Sequence, residues 1–266
     1  MLVCTLGDLL LDVVVRLEAP LSPGDDAPAT TRAGAGGQAA NVAAWAASLG
    51  AAARLIAKRG DDAAGQVCAA EIDGRGVEVV GPVGDRTGVV VSLVAATGER
   101  TMCSDRGAAP ELRPEELDPA WLTGCDVLHV SGYALMREPA ASAAERACRL
   151  LREAGGRISV DLSSAAAIRA AGPDQVGARL ERLAPELAFA TEAERDALGG
   201  GLATKWVVKL GARGLRVDGR VLEAVPVSVT DTTGAGDALA AGFLVGGPEL
   251  ALQAAARCVS KLGSMP

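Results

Sequence analysis

Aromatic side chains are scarce: the 266 residues include three Trp, two Phe and one Tyr. A site built on ring stacking therefore has few candidates. Histidine occurs once, at His129, inside the strand-like run Asp126-Val127-Leu128-His129-Val130, and reads as a structural residue. The six cysteines (Cys4, Cys68, Cys103, Cys125, Cys148, Cys258) never take a C-x-x-C spacing, and several lie in apolar runs where a thiol acts as a small hydrophobe. This argues against zinc and for a reducing cytosol. No Lys/Arg run stands out among 26 basic and 33 acidic residues, net charge −7, so no nucleic-acid partner is expected. No apolar run approaches membrane-spanning length, and the start Met1-Leu2-Val3-Cys4-Thr5-Leu6-Gly7-Asp8 turns acidic too soon for a signal peptide. The expectation is a cytoplasmic protein with no membrane partner.

What is present is a globular composition, 49% hydrophobic and inflated by alanine. The length suits one large domain, and neither a repeat nor a low-complexity linker divides residues 1 to 266. One stretch stands out: Asp231-Thr232-Thr233-Gly234-Ala235-Gly236-Asp237, after the β-prone Val225-Pro226-Val227-Ser228-Val229 and before an Ala-rich helical run. It reads as strand, Gly-rich turn, helix. Amides at such a turn converge on one point and, with the helix dipole, attract phosphate or a developing oxyanion. Asp237 is an acid placed where anions bind. It either caps the helix or removes a proton beside a bound phosphate.

The rest of the chain alternates strands and helices. A parallel sheet covered on both faces follows, with Asp161, Thr191 with Glu194, Lys209 with Gly211, and the heptad at the strands' carboxyl ends. Two regions break the alternation: residues 12 to 33, and a hairpin at 87 to 105 turning at Ala96-Thr97-Gly98-Glu99. Together they predict a small separate sheet, a lid over the cleft. Asp12, inside Leu9-Leu10-Leu11-Asp12-Val13-Val14-Val15, either faces that cleft to receive a ligand or marks a strand end. Gly36-Gly37 before a helix permits close ligand approach, and Asn41 offers an amide one turn in, unless it only satisfies local backbone. Asp61 and Asp62 are explained as helix-start acids.

Two separated motifs, Gly36-Gly37-Gln38-Ala39-Ala40-Asn41-Val42-Ala43 and Asp231 to Asp237 with Ala241-Gly242 beyond, resemble the ribokinase-like (PfkB) carbohydrate kinases. Gly7 with Asp12, Gly50, Gly60 and Gly211-Ala212-Arg213-Gly214 fall in the same order, so the resemblance spans the chain. It implies an α/β three-layer sandwich with a mostly parallel central sheet and a β-sheet lid. It also implies ATP-dependent phosphorylation of a hydroxyl with Mg²⁺. On this resemblance Asp237 is the general base, and the amides of Gly234, Ala235 and Gly236 form the anion hole. Asp12, Gly36, Gly37 and Asn41 bind the sugar, while Lys209, Gly211, Gly214 and Thr232 attend the nucleotide. Glu194 assists Mg²⁺ through water, and Asp231 belongs to a monovalent-cation (K⁺) site.

Three positions depart from the family pattern. Thr191-Glu192-Ala193-Glu194 stands where Asn-x-x-Glu is common, and Lys209 where many members have Thr. The K⁺ site draws on a C-terminal loop, and Pro266 follows Gly263 closely, so that site is expected to be incomplete. The lid segments hold no Phe, Tyr or Trp, which favours a sugar or sugar acid over a nucleoside, with Tyr133 left to stack a base in the alternative. Arg100 and Arg106 either meet an anionic group on the substrate or are merely solvated. A catalytically weak ligand sensor is the rival from another class, and a homodimer through the lid is expected from its uncovered apolar face.

Overall fold

The computed structural model describes the chain apart from Ala96, Gly98, Glu99, Gly201 and Ala203. The first strand, β1 (Leu2–Leu6), is buried from Val3 onward and lies inside the main sheet. The chain then leaves that sheet as β2 (Leu10–Leu17) and β3 (Ala29–Gly36), and returns through α1 (Gln38–Ser48), β4 (Ala52–Ile56) and β5 (Arg59–Gly60). Next come α2 (Ala63–Asp73), β6 (Val77–Val80), β7 (Val83–Gly84) and the second excursion, β8 (Thr87–Val94) with β9 (Arg100–Gly107). Asp62 caps α2, accepting from the Gly65 amide at 2.8 Å, as the acid in that position implies.

Regular βα alternation follows: β10 (Val127–Ser131), α3 (Gly132–Leu135), α4 (Ala140–Glu153), β11 (Arg157–Asp161), α5 (Ala165–Ala171) and α6 (Pro173–Leu183). The chain ends with β12 (Leu187–Thr191), α7 (Glu192–Leu198), β13 (Lys205–Lys209), the hairpin β14 (Leu215–Val217) and β15 (Arg220–Leu222), and α8 (Ala235–Val259).

The main sheet runs β15-β14-β13-β12-β11-β10-β1-β4-β6, parallel except at β14 and β15. Strands are added to one side of β1 through β4 and to the other through β10, so right-handed crossovers place the two sets of helices on opposite faces. One face packs on α1, α2 and α8 around Trp45, Ile72 and Leu239; the other packs on α3 to α7 around Leu135, Leu151 and Leu180. The result is a three-layer α/β sandwich whose crevice lies at the carboxyl ends of β1 and β10. The two excursions form a separate four-stranded sheet, β3-β2-β8-β9, with a parallel central pair and antiparallel outer pairs. This is the lid expected from residues 12 to 33 and 87 to 105. Its hairpin turn, apart from Thr97, lies outside the described residues.

Three local expectations change. Val225 to Val229 is not a strand: Val225, Val227 and Val229 are 41%, 40% and 63% exposed and carry no ladder. β15 already forms the sheet edge, and Pro226 has no amide to donate. Short helices α3 and α5 precede α4 and α6, where simple alternation leads to single helices between the strands. Finally, α8 is long and apolar enough to cross a membrane, contrary to the sequence reading. It is instead a broken core helix, non-helical at Gly246 and Gly247, with Ala238, Ala241, Ala251 and Ala254 buried in the core around Trp45.

Candidate active site

The heptad's geometry is set by Gly234, the N-cap of α8, whose φ of 76° lies in the left-handed region. A β-carbon there would sit 2.6 Å from the Ser264 Cβ, so both the backbone and the space demand glycine. Behind it, the Ala235 amide reaches the Thr232 carbonyl at 3.3 Å, while those of Gly234, Gly236 and Asp237 have no acceptor among the described residues. Of the three amides named from the resemblance, that of Ala235 is spent on the turn, and its neighbours are the unpaired donors among the described residues. Unpaired amides at a helix start suit a phosphate.

Asp237 occupies the first turn of α8, and its carboxylate accepts from the Asn41 amide at 2.7 Å. Asn41 is fixed in turn, since its oxygen accepts from Ser264 Oγ at 3.0 Å, and the Ser264 carbonyl accepts from Trp45 Nε1 at 2.8 Å. The two sequence motifs therefore meet through one hydrogen bond, and the segment around Ser264 braces both. Burial pushes the Asp237 carboxyl up to about 7; Asn41 and Lys209 oppose this, while Asp161 and Asp12 reinforce it. A carboxyl titrating there exchanges protons near neutrality.

Lys209 points inward at the end of β13. Its ammonium donates to both oxygens of Asp161 at 2.8 Å and lies 3.8 Å from Glu194 Oε2. A β-carbon on Gly236 would lie 3.4 Å from the same ammonium, which places the cation beside the unpaired amides. Burial alone would lower the Lys209 pKa, but Asp161 and Glu194 raise it above the ordinary lysine value. Asp161 is fully buried. It also accepts from the Ser163 amide at 2.9 Å, and Ser163 and Ser131 both donate to Gln38 Oε1. A polar chain thus runs under the crevice from the first helix motif to Lys209. His129 lies deeper, bonded to Ser159 at 2.8 Å, and burial holds it down to about 4, hence neutral at pH 7.

On the lid side, Asp12 faces Gly36 so closely that a β-carbon there would fall 2.0 Å from its carboxylate; Gly37, at φ 104°, would meet the Asp8 carbonyl at 2.4 Å. Burial pushes Asp12 up to about 6, and Arg100 draws it down. Arg106 is neither solvated nor free: it pairs with Asp8 and stacks 3.7 Å above the Tyr133 ring, tying lid to body. Arg100 reaches from the lid to the Thr233 hydroxyl.

Other expected residues have local duties here. Asp231 accepts from the amide and hydroxyl of Thr233 at 2.9 and 2.6 Å and from the Gly263 amide at 3.0 Å, so it clamps the heptad to residues 261 to 264. Thr232 lines the cleft beside it. Glu194 and Thr191 form a reciprocal cap on α7, with Glu194 Oε2 2.7 Å from the Thr191 amide. Gly211 and Gly214 both have positive φ at the end of β13, and a β-carbon on Gly214 would lie 2.0 Å from the Leu222 carbonyl. Among the described residues no group of three or more His, Cys, Asp or Glu side chains could hold a metal directly.

Sequence reasoning assigned no role to Gln38, Ser163, Ser264 or Trp45. Gln38 sits inside the Gly-Gly motif and was findable; the others act through contacts more than 100 residues apart.

The pfkB family carbohydrate kinase model matches residues 1–265. The chain is similar to fructokinase-1 of Oryza sativa subsp. japonica, at 32% identity over 91% of this chain and 82% of that one. It is similar to the ATP-dependent ribose-1-phosphate kinase of Halopiger xanaduensis, at 31% identity over 96% and 90%. Among solved structures it resembles adenosine kinase from Sinorhizobium meliloti, with a TM-score of 0.88 and 26% identity over 99% and 95% of the two chains. It shares its fold with a putative ribokinase II from E. coli solved with ATP and Mg²⁺, at a TM-score of 0.79 and 22% identity over 99% and 94%. With the family model spanning the crevice, the lid and both glycine motifs, this chain belongs to the pfkB family of carbohydrate kinases, phosphotransferases with an alcohol acceptor.

Proposed function

We propose that the protein transfers the γ-phosphoryl group of ATP to a hydroxyl of a small sugar or sugar acid, with Asp237 as the general base. The observation that carries this reading is the Asp237 carboxyl, pushed up to about 7 and held by Asn41 beside the unpaired amides of α8. Asp12 and Asn41 orient the acceptor through its hydroxyls. As the acceptor oxygen attacks, its proton passes to Asp237. The new oxygen–phosphorus bond forms while the bond from the γ-phosphorus to the bridging oxygen breaks, and ADP leaves.

The free amides of Gly234 and Gly236 and the Lys209 ammonium stabilise the charge on the equatorial oxygens, with Ala235 contributing less because of its turn bond. Gly211, Gly214 and Thr232 shape the nucleotide side. Mg²⁺ would neutralise charge on the phosphates when bound, and Glu194 is the residue that would help to hold it through water. Asp231 is a loop clamp here, so the K⁺ role becomes secondary to that duty. Residues 1 to 266 act as one kinase unit in the cytosol.

A nucleoside acceptor is the second reading, favoured by the likeness to the Sinorhizobium adenosine kinase. Against it, the inner lid presents Val14, Val90, Ser92 and Met102, and Arg106 covers one Tyr133 face. The ligand-sensor reading predicts binding without turnover. A coupled ADP-release assay over sugars and nucleosides separates the three. Asp237→Asn should lower kcat by about 10²–10⁴-fold. Near wild-type turnover in that variant would remove Asp237 from the base role.

A further inference from the structure

The inner face of the lid carries charge that a neutral sugar does not use. Along β2 the side chains of Asp12, Val14 and Arg16 share one face. Register sets Arg32 and Ser92 beside Val14, and Val94 with Arg100 beside Arg16. A cleft of about 680 Å³ opens from Asp12 along this face and is closed opposite by residues 229 to 233 and 261 to 266.

Arg16, Arg32, Arg100 and Lys261 line it, and none of the four forms an ion pair among the described residues. The other acids on its walls are committed: Glu71 to Arg75 and the Ala35 amide, Asp231 to Thr233 and Gly263. Burial first, then the nearby Arg257, Arg75 and Arg32, hold Lys261 below the ordinary lysine value against the opposing pull of Cys258, and its ammonium lies 5.3 Å from the Trp45 ring centroid. Ser92 lines the same cleft at 8% exposure, and its hydroxyl has no partner among the described residues. The cleft thus joins a buried hydroxyl without a partner to four cations without an ion pair, all among the described residues, a lining suited to an anion.

We propose that this cleft binds the phosphate of a phosphorylated monosaccharide, so that the acceptor is a sugar monophosphate. The inference rests on the kinase reading above and narrows its substrate. Strand rise places the Val14 level about 7 Å and the Arg16 level about 13 Å from Asp12. One sugar ring, held at Asp12 and Asn41, spans that gap and delivers its terminal phosphate to the arginines. Guanidinium groups from three strands and an ammonium surround the spot, whereas a carboxylate needs a single bidentate arginine. Ser92 supplies the remaining neutral donor.

The test is ADP release with fructose 6-phosphate, ribose 1-phosphate and ribose 5-phosphate, each against its parent sugar, with gluconate as the carboxylate probe and inorganic phosphate as competitor. At least one sugar phosphate should exceed its parent in kcat/KM by about 100-fold, and inorganic phosphate should compete with it. Arg16→Ala and Arg32→Ala should each raise its KM about 10-fold at nearly constant kcat, with Arg32→Lys recovering part of the loss. Thermal midpoints of these surface variants establish that they fold. If a parent sugar or gluconate serves as well as any phosphate, the phosphate site is refuted while the kinase reading stands. If no acceptor of any class drives ADP release, both fall.

Discussion

At the scale of single residues, Asp237 and Asp12 combine reactivity with strain. Both are carboxyls raised by burial, to about 7 and about 6, from an ordinary value near 3.8. A raised carboxyl binds its proton more tightly in the folded state. Their contribution to stability is therefore full below pH about 3.8 and declines as pH climbs through 6 and 7. Asp237→Asn removes this cost while still accepting from Asn41. The variant should be slow in turnover yet melt higher than wild type at pH 8, with the gap closing toward pH 4; calorimetry across that range checks both signs.

Lys209 behaves oppositely. Its removal strands the fully buried Asp161, so Lys209→Ala should destabilise by about 3–5 kcal/mol in urea titration at pH 7. A loss below 1 kcal/mol would mean that water replaces the ammonium. Of these residues, Asp237, Asn41 and Asp12 were legible because their motifs are local. The Lys209 partner was not, because Asp161 lies 48 positions away in the chain.

At the scale of elements, the site depends on where α8 begins. Gly234 sets that start, and Gly234→Ala would force a β-carbon to 2.6 Å from Ser264 in a left-handed backbone. The combined penalty is about 2–5 kcal/mol, and kcat should fall with it because the amides and Asp237 share the displaced turn. Denaturation and steady-state kinetics on one preparation check this; an unaffected kcat would detach the amides from the chemistry. The turn and helix were readable from glycine placement. The strand proposed before them was not formed: β15 takes the edge position, and β propensity at Val225 to Val229, interrupted by Pro226, does not by itself make a ladder.

At the scale of the molecule, the lid and the body are joined by Arg106 on Asp8 and Tyr133 and by Arg100 on Thr233. Substrate bridging Asp12 to the heptad would close the cleft and exclude water. Hydrogen exchange in β2 and β9 should slow when substrate and ATP are bound; unchanged exchange would mean a rigid lid. The opposite face of the lid sets Val13 beside Val91 and Val15 beside Leu93, half-buried and apolar. We infer that this face pairs two copies of the chain. Sedimentation should find a dimer that Val13→Lys with Val91→Lys dissociates, and a wild-type monomer at all concentrations would dismiss it.

The sequence by itself determined the alternation of strands and helices, the two glycine motifs and the lid, because periodicity and backbone sterics act over a few residues. It also indicated Asp237 as the acid at a helix start. Only the tertiary structure decided that Asn41 holds Asp237, that Lys209 turns onto Asp161, and that Ser264 braces the Gly234 turn. It alone brought Arg16, Arg32, Arg100 and Lys261 into one cleft with the buried Ser92 hydroxyl. Such meetings follow from sheet register and layer packing, which join residues that local patterning leaves far apart.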